Sequence, residues 1–541
     1  MPTPFFRGPF RSLLLFHDLD SLAGEKESAG PVRSATISRS PFSPVTFVSF
    51  FVVFAGIIIA LHWPYLRLPY FWDEMGQFMP AALDIARDGA WIPHSALPNV
   101  HPPGVMAYIA LVWSVAGRSI LATRVAMLLI AALGLLFVFQ LGMELCRPLP
   151  AVPALLAPAL LLFSPLFYTQ SMLAQLDMPA MVLTALALIL FLRQRYAAAA
   201  CVSTLLVLVR ETGIVVPALF LLWLLIRERR VRQACYFFAP LLALGAWLFL
   251  LKRATGHWLG NQEFTTYNLV YSLEPARAAS ALVRRLYFLF VADFRWVGTL
   301  LIVAAWRKSR LFATPQWALV GLLGAAHVVF MSLFGGATLD RYLLPVLPLV
   351  YISMVAAWST CPQPWRTATV TLWLAGLLAV LFWNFPPSPF VYSLEDDLAM
   401  VDFVRVQQEA AGFLEMHLPQ HGVTSVWPFT QELSDPFFGY VHHRLPTVQI
   451  SDFHLAQVAA IDPSKIDVLV VYARPWDLPW TVLRWPPLMA IQRKFYDYEP
   501  EATAAEIQER LGLVRAARWE RHSQWIEVYL SPELARQQAA K

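Results

Sequence analysis

Charge is what this chain has least of. Only 14% of its 541 residues are charged, against a 58% hydrophobic share and a mean hydropathy of +0.54. That scarcity excludes an ordinary soluble domain, in which about a quarter of the residues are charged. Cysteine is nearly missing too: Cys146, Cys201, Cys235 and Cys361 are scattered without metal-ligand spacing, which excludes a disulfide framework and a thiolate zinc site. The net charge of +5 does not argue for a nucleic-acid partner, because the basic residues lie in short clusters between apolar runs, the pattern that sets membrane topology. Residues 1–43 lack the charged–apolar–small order of a cleaved signal, "RSLLLF" (11–16) being too short for its apolar core. They read as a cytoplasmic tail ahead of an uncleaved anchor.

What is present is a succession of apolar runs from Val45 to Trp383, of the length that crosses a hydrocarbon core, about 17–25 residues each. The spans read as roughly 45–63, 124–144, 150–168, 179–192, 197–209, 213–226, 234–251, 286–306, 316–334, 342–359 and 367–383. "PGVMAYIALVWSVAG" (103–117) is too short to cross and reads as a juxtamembrane helix on the outer side. With the N-terminus inside, "CRP" (146–148), "RQR" (193–195), "RERRVR" (227–232), "RKSR" (307–310) and "PWR" (364–366) all become cytoplasmic, as the positive-inside rule requires. The fold class expected is therefore mainly α: a polytopic bundle of about eleven spans over 44–387, with the C-terminal unit 388–541 outside. That unit has helical periodicity at 396–418 and strand-like runs at 423–429, 466–473 and 523–530, the alternation of a small α/β domain. It contains no G-x-G-x-x-G, P-loop or G-x-S-x-G.

On this tracing the few charged groups outside the Arg clusters gather on the outer face. "YFWDEMGQF" (70–78) places Asp73 and Glu74 just past the first span, and "AQLDMPAM" (174–181), "RETG" (210–213) and "TLDRYLLP" (338–345) follow on the same side. Ionisable residues at the edge of a lipid-embedded bundle are retained chiefly where they line a cavity or a site. A carboxylate held there can take a proton from an attacking hydroxyl or amine, and Asp73 is the candidate base. Glu74 can bind the acceptor, hold a metal or pair with an Arg. The plainer reading of Asp73 is a helix N-cap.

Four motifs together carry a resemblance. "WDEMGQF" followed by "DGAWIPH" (88–94) and "HPPG" (101–104), then "LDMP" (176–179), "VRETGIVVP" (209–217) and "DRYLLPVLP" (340–348) occur in the order found in GT-C integral-membrane glycosyltransferases. The chain resembles most the branch of protein O-mannosyltransferases and lipid A aminoarabinose transferases, over about residues 45–360. His101 stands where aminoarabinose transferases carry Lys. The resemblance implies a GT-C fold and transfer of a sugar from a polyprenyl-phosphate carrier to a lipid, glycan or protein acceptor, at the outer face of the cytoplasmic membrane. It implies inversion, consistent with a single obvious base.

Such a reaction needs a base, cations for the leaving phosphate and an apolar groove for the prenyl tail. Asp73 with Glu74 supplies the first; Arg341, Arg210, His101 and Lys252, or its neighbour Arg253, can meet the phosphate, Arg being suited to bidentate contact. Asp177, Glu211 and Tyr342 are candidates for acceptor or donor contact. No cofactor follows from the spacing; a divalent cation stays open if Asp73, Glu74, His101 and Asp177 meet. Each residue also has a structural reading: an N-cap for Asp177, a first-turn cap for His101, a local pair for Arg210 and Glu211, and an interfacial anchor for Arg341 with Tyr342. His442 and His443 read as surface residues. Two other classes compete with the enzyme: a secondary transporter or flippase, against which stand the absence of internal repeats and the loop placement of the charges, and a catalytically dead scaffold.

Overall fold

Pro44 opens a run of 19 residues without Asp, Glu, Lys or Arg, and that run forms α1 (Pro44–His62); proline suits a first helical turn, where its missing N–H costs nothing. The computed structural model describes residues 43–146, 153–383, 395–473, 485–496, 498–499, 501–522 and 524–539. The N-terminal tail before Ser43 and most of the "CRP" cluster lie outside the described residues.

After α1 the chain enters a five-residue π-helical turn, Glu74–Phe78, and then α2 (Met79–Asp88), which stops at Gly89 in the left-handed conformation, as its glycine led one to expect. The short apolar helix is α3 (Gly104–Ala116), of 13 residues. Gly104 is required by packing: a Cβ there would meet the Leu208 carbonyl oxygen at 2.5 Å. The bundle's central helix, α4 (Ile120–Leu145), is capped by Ser119, whose hydroxyl accepts from the Ala122 amide at 3.2 Å, and is buried along most of its length. α5 (Leu156–Leu162) and α6 (Pro165–Gln170) divide the expected span 150–168 at Ser164–Pro165, and α7 (Asp177–Leu192), α8 (Tyr196–Val209) and α9 (Val215–Leu222) follow.

Among the described residues five helices are long and apolar enough to cross a membrane: Pro44–Tyr65, Ile120–Leu145, Val231–Thr255, Pro315–Phe334 and Trp365–Trp383. The expected straight span 286–306 is instead two helices, Pro275–Phe290 and Arg295–Lys308, bent by 87°. Asp293 and Phe294 both take positive φ at the corner, and the Arg295 Nε turns back to the Phe288 carbonyl at 2.7 Å. A charged residue inside an otherwise apolar run therefore marks a turn, and the hydropathy of the run hid it. The apolar helices Gly104–Ala116, Asp177–Leu192, Tyr196–Val209 and Leu347–Trp358 have only 10–17 residues.

Beyond the bundle, the helix Ala399–His417 packs across a five-stranded sheet of order β2-β1-β3-β5-β4. β1 (Val423–Val426), β2 (Thr447–Ile450) and β3 (Val468–Tyr472) are parallel, while β4 (Val514–Arg521) and β5 (Gln524–Leu530) form an antiparallel hairpin on β3. The strands expected at 423–429, 466–473 and 523–530 are β1, β3 and β5. β2 is a four-residue edge strand and β4 is polar and largely exposed, so neither carries a hydrophobic signal.

Candidate active site

Two adjacent carboxylates in "WDEMGQF" part company because Trp72 holds a positive φ of 48°, a strained state for a bulky residue. Glu74 turns inward. Its carboxylate accepts from the Phe71 amide at 2.9 Å, the Ala174 amide at 2.6 Å and two nitrogens of Arg124, the Nη2 contact being 2.9 Å. Arg124, from the first turns of α4, also donates to the carbonyls of Leu68, Pro69 and Met172. Both side chains are fully buried. Glu74 is thus a structural pin that fastens the segment after α1 to α4 and to the segment before α7, and it does not share a site with Asp73.

Asp73 turns the other way and makes no side-chain cap to the turn it precedes, so the N-cap reading does not hold. It forms an ion pair with Arg341, which lies in the one-turn helix Asp340–Leu343. Arg341 is the hub of the cluster: its Nε lies 3.0 Å from Glu395 Oε2 and 3.8 Å from Asp177 Oδ2. Asp177 pairs in turn with Arg210, whose Nε donates to Thr212 Oγ1 at 3.0 Å and whose guanidinium stacks 4.6 Å from the Tyr342 ring. Asp73, Asp177, Arg210, Arg341 and Tyr342, drawn from four separated motifs, are therefore one constellation. Of its three carboxylates Asp73 is the most accessible, at 19% side-chain exposure against 1% for Asp177 and 9% for Glu395.

His101 and Glu211 form a neighbouring pair, Nδ1 to Oε2 at 3.0 Å, with Phe264 edge-on to the imidazole. Burial works to raise the Glu211 carboxyl, and the contacts with His101 and Arg210 outweigh it and hold it below the usual carboxylate range. A cavity of about 230 Å³ opens here. His101, Arg210, Glu211 and Tyr342 are among its polar lining, and Phe264, Phe330 and Phe334 contribute apolar walls.

Lys252 is exposed and lies over the Trp258 ring at 4.4 Å, and Arg253 beside it is exposed as well; among the described residues no contact brings either to the cluster. The four groups named for a metal do not converge, because Glu74 is taken up by Arg124 and His101 by Glu211. Among the described residues the group with metal-ligand spacing is Asp84, Asp88 and His94, and Asp84 there accepts from the amides of His94 and Ser95 and from the Ser95 hydroxyl, which makes it a loop brace.

Sequence reasoning passed over Glu395. Three consecutive acids, Glu395–Asp397, stand soon after the last apolar run, the same signature that singled out residues 73–74. Arg124, one charge near the start of a long apolar helix, was likewise readable as a residue in need of a partner. The sheet unit closes over the same segment: the Gln431 amide donates to the Met75 carbonyl at 2.9 Å, Tyr440 Oη to the Tyr70 carbonyl at 3.1 Å, and Trp427 stands edge-on to Trp72 at 4.8 Å.

Residues 100–251 match the model of the dolichyl-phosphate-mannose-protein mannosyltransferase family. No curated protein matches the chain significantly. Among solved structures it is similar to ArnT from Cupriavidus metallidurans in the apo state, at 14% identity and a TM-score of 0.52, over 89% of this chain and 98% of that one. The form of that protein bound to undecaprenyl phosphate matches at 14% identity and a TM-score of 0.47, over 90% and 98%. The archaeal oligosaccharyltransferase AglB from Archaeoglobus fulgidus, in complex with an inhibitory peptide and a dolichol-phosphate, matches at 12% identity and 0.46, over 78% and 69%. The apo ArnT likeness shows the fold: the chain is folded as a GT-C protein, as its four motifs led one to expect.

Proposed function

We propose that the protein is a membrane glycosyltransferase that moves a sugar from a polyprenyl-phosphate carrier to a hydroxyl or amine acceptor. The observation that carries this reading is the accessible carboxylate of Asp73 paired to Arg341, with Arg210 joined to the same cluster through Asp177 and lining a largely apolar cavity. Base, cations and greasy groove are the three things the chemistry needs, and here they adjoin. The family match over residues 100–251 supports the same class.

In the reaction Asp73 accepts the proton of the acceptor as the acceptor attacks the anomeric carbon. The bond from that carbon to the phosphate oxygen breaks, and the leaving polyprenyl phosphate takes the electron pair. Arg210, with the Tyr342 hydroxyl, meets the charge that develops there. One base on one face of the sugar gives inversion. Residues 44–387 then form the catalytic part in the cytoplasmic membrane, and 388–541 the outer unit that receives the acceptor, the arginine clusters at 227–232 and 307–310 facing the cytoplasm.

The test is Asp73→Asn, which keeps shape and removes the base. Transfer from a lipid-linked sugar should fall by about 10²-fold or more, while the purified protein elutes as wild type. Full retention of transfer removes Asp73 from the role.

A further inference from the structure

Resting on the glycosyl-transfer reading above, we propose that Glu395 is a positioning residue: it holds Arg341 at its Nε, so that Nη2 can leave Asp73 for the phosphate of the lipid donor.

Two nitrogens of Arg341 are held from different parts of the chain. Its Nη2 is paired with Asp73 from the segment after α1. Its Nε lies 3.0 Å from Glu395, yet off the N–H axis and without a linear hydrogen bond. That contact is one of charge, free to tighten. Asp177 at 3.8 Å is the only other carboxylate in reach among the described residues, and Arg210 already engages it. While Arg341 stays on Asp73 Oδ2, the lone pairs of that oxygen face a cation and only Oδ1 is left for an acceptor hydroxyl. Moving the guanidinium to the phosphate frees the whole carboxylate to act as base.

Glu395 is built to take that load. Its main-chain carbonyl accepts from Thr169 Oγ1 at 2.9 Å and Gln170 Nε2 at 3.3 Å, both on α6, so the residue is anchored independently of its carboxylate. The groups facing that carboxylate are Arg341, Asp73, Asp177 and the Gln175 amide, with Asp396 beside it on its own segment. Three carboxylates therefore surround two guanidiniums, and a phosphate adds further negative charge. Burial pushes the Glu395 carboxyl up to about 7; Arg341 opposes the rise, and Asp73 and Asp177 add to it. Above that pH the ionised carboxylate holds Arg341 by charge and at the same time repels the incoming phosphate. Below it the neutral acid does neither.

The experiment measures binding of undecaprenyl phosphate to the detergent-purified full chain at pH 8 and pH 6, for wild type, Glu395→Gln and Glu395→Asp, with donor kinetics on the same proteins. Comparing proteins at one pH cancels the titration of the phosphate itself. At pH 8, Glu395→Gln should bind at least tenfold tighter than wild type, tenfold being the effect of removing one charge about 12 Å away at an effective dielectric of about 20, and a closer phosphate giving more. At pH 6 the two should agree. Its kcat should fall about tenfold while the donor KM also falls, a split that a merely structural residue does not produce. Glu395→Asp, which keeps the charge, should restore the pH 8 behaviour. Equal affinities at both pH values, or weaker binding by Glu395→Gln, overturn the proposal. If wild type binds no undecaprenyl phosphate, the glycosyl-transfer reading fails and takes this role with it. If wild type binds, Asp73→Asn loses transfer and Glu395→Gln behaves as wild type, only the role of Glu395 falls.

Discussion

The neighbours Asp73 and Glu74 should fail in different ways, and a double-mutant cycle on the Glu74–Arg124 pair measures the difference. Both side chains have no exposed surface, so removing one partner leaves a buried charge without its counterion. The cost of that is about 3–5 kcal/mol. The structure sets each single variant within this range. In Glu74→Gln, Arg124 keeps three carbonyl acceptors, on Leu68, Pro69 and Met172. In Arg124→Met, Glu74 keeps two amide donors, from Phe71 and Ala174. Carbonyls and amides share a stray charge imperfectly, each such bond contributing about 1.5–3 kcal/mol. The double variant removes both charges and should be little worse than either single, a coupling of about 3 kcal/mol where independent sites would give none. The assay is the fraction of protein still monodisperse after heating in detergent, with transfer activity on the survivors. Both single variants should lose heat resistance, whereas Asp73→Asn should keep it and lose transfer. If Arg124→Met is as heat-stable as wild type but inactive, Arg124 belongs to the chemistry and the separation of the two carboxylates is wrong.

Two further outcomes follow from the packing and the donor set. Gly104→Ala puts a methyl 2.5 Å from the Leu208 carbonyl oxygen, and forcing α3 away from α8 should cost about 1–3 kcal/mol, read as an earlier loss on heating; an unchanged profile refutes the close approach. Prolonged treatment with a chelator should leave transfer intact, since Glu74 and His101 are engaged by Arg124 and Glu211; loss of activity that added Mg²⁺ or Mn²⁺ restores would show that the cluster rearranges around an ion.

The elements that could be read from the sequence were those whose signal is local. Gly89 ended α2, the 13-residue run at 104–116 proved a short helix, and β1, β3 and β5 lay where buried strand-like runs stood. Misreadings came where one segment needs another to explain it. The run 286–306 looked continuous because hydropathy averages over Asp293 and Arg295, whose mutual contact at 3.1 Å accompanies the bend. β4 pairs with β5 through its backbone, which leaves no apolar alternation to see.

By itself the sequence determined that the chain is a lipid-embedded helical bundle carrying a small α/β unit, because burying so much apolar surface in a bilayer depends on composition and run length alone. It also pointed to Asp73, Asp177, Arg210 and Arg341 as charges in need of a purpose. Only the tertiary structure decided that Asp73 faces Arg341 while Glu74 is locked onto Arg124, and that Glu395 completes the cluster. Charges in a low-dielectric interior are assigned by which opposite charge lies within a few ångströms, and that distance is set by chain segments from 50 to 268 residues apart, which no local pattern records.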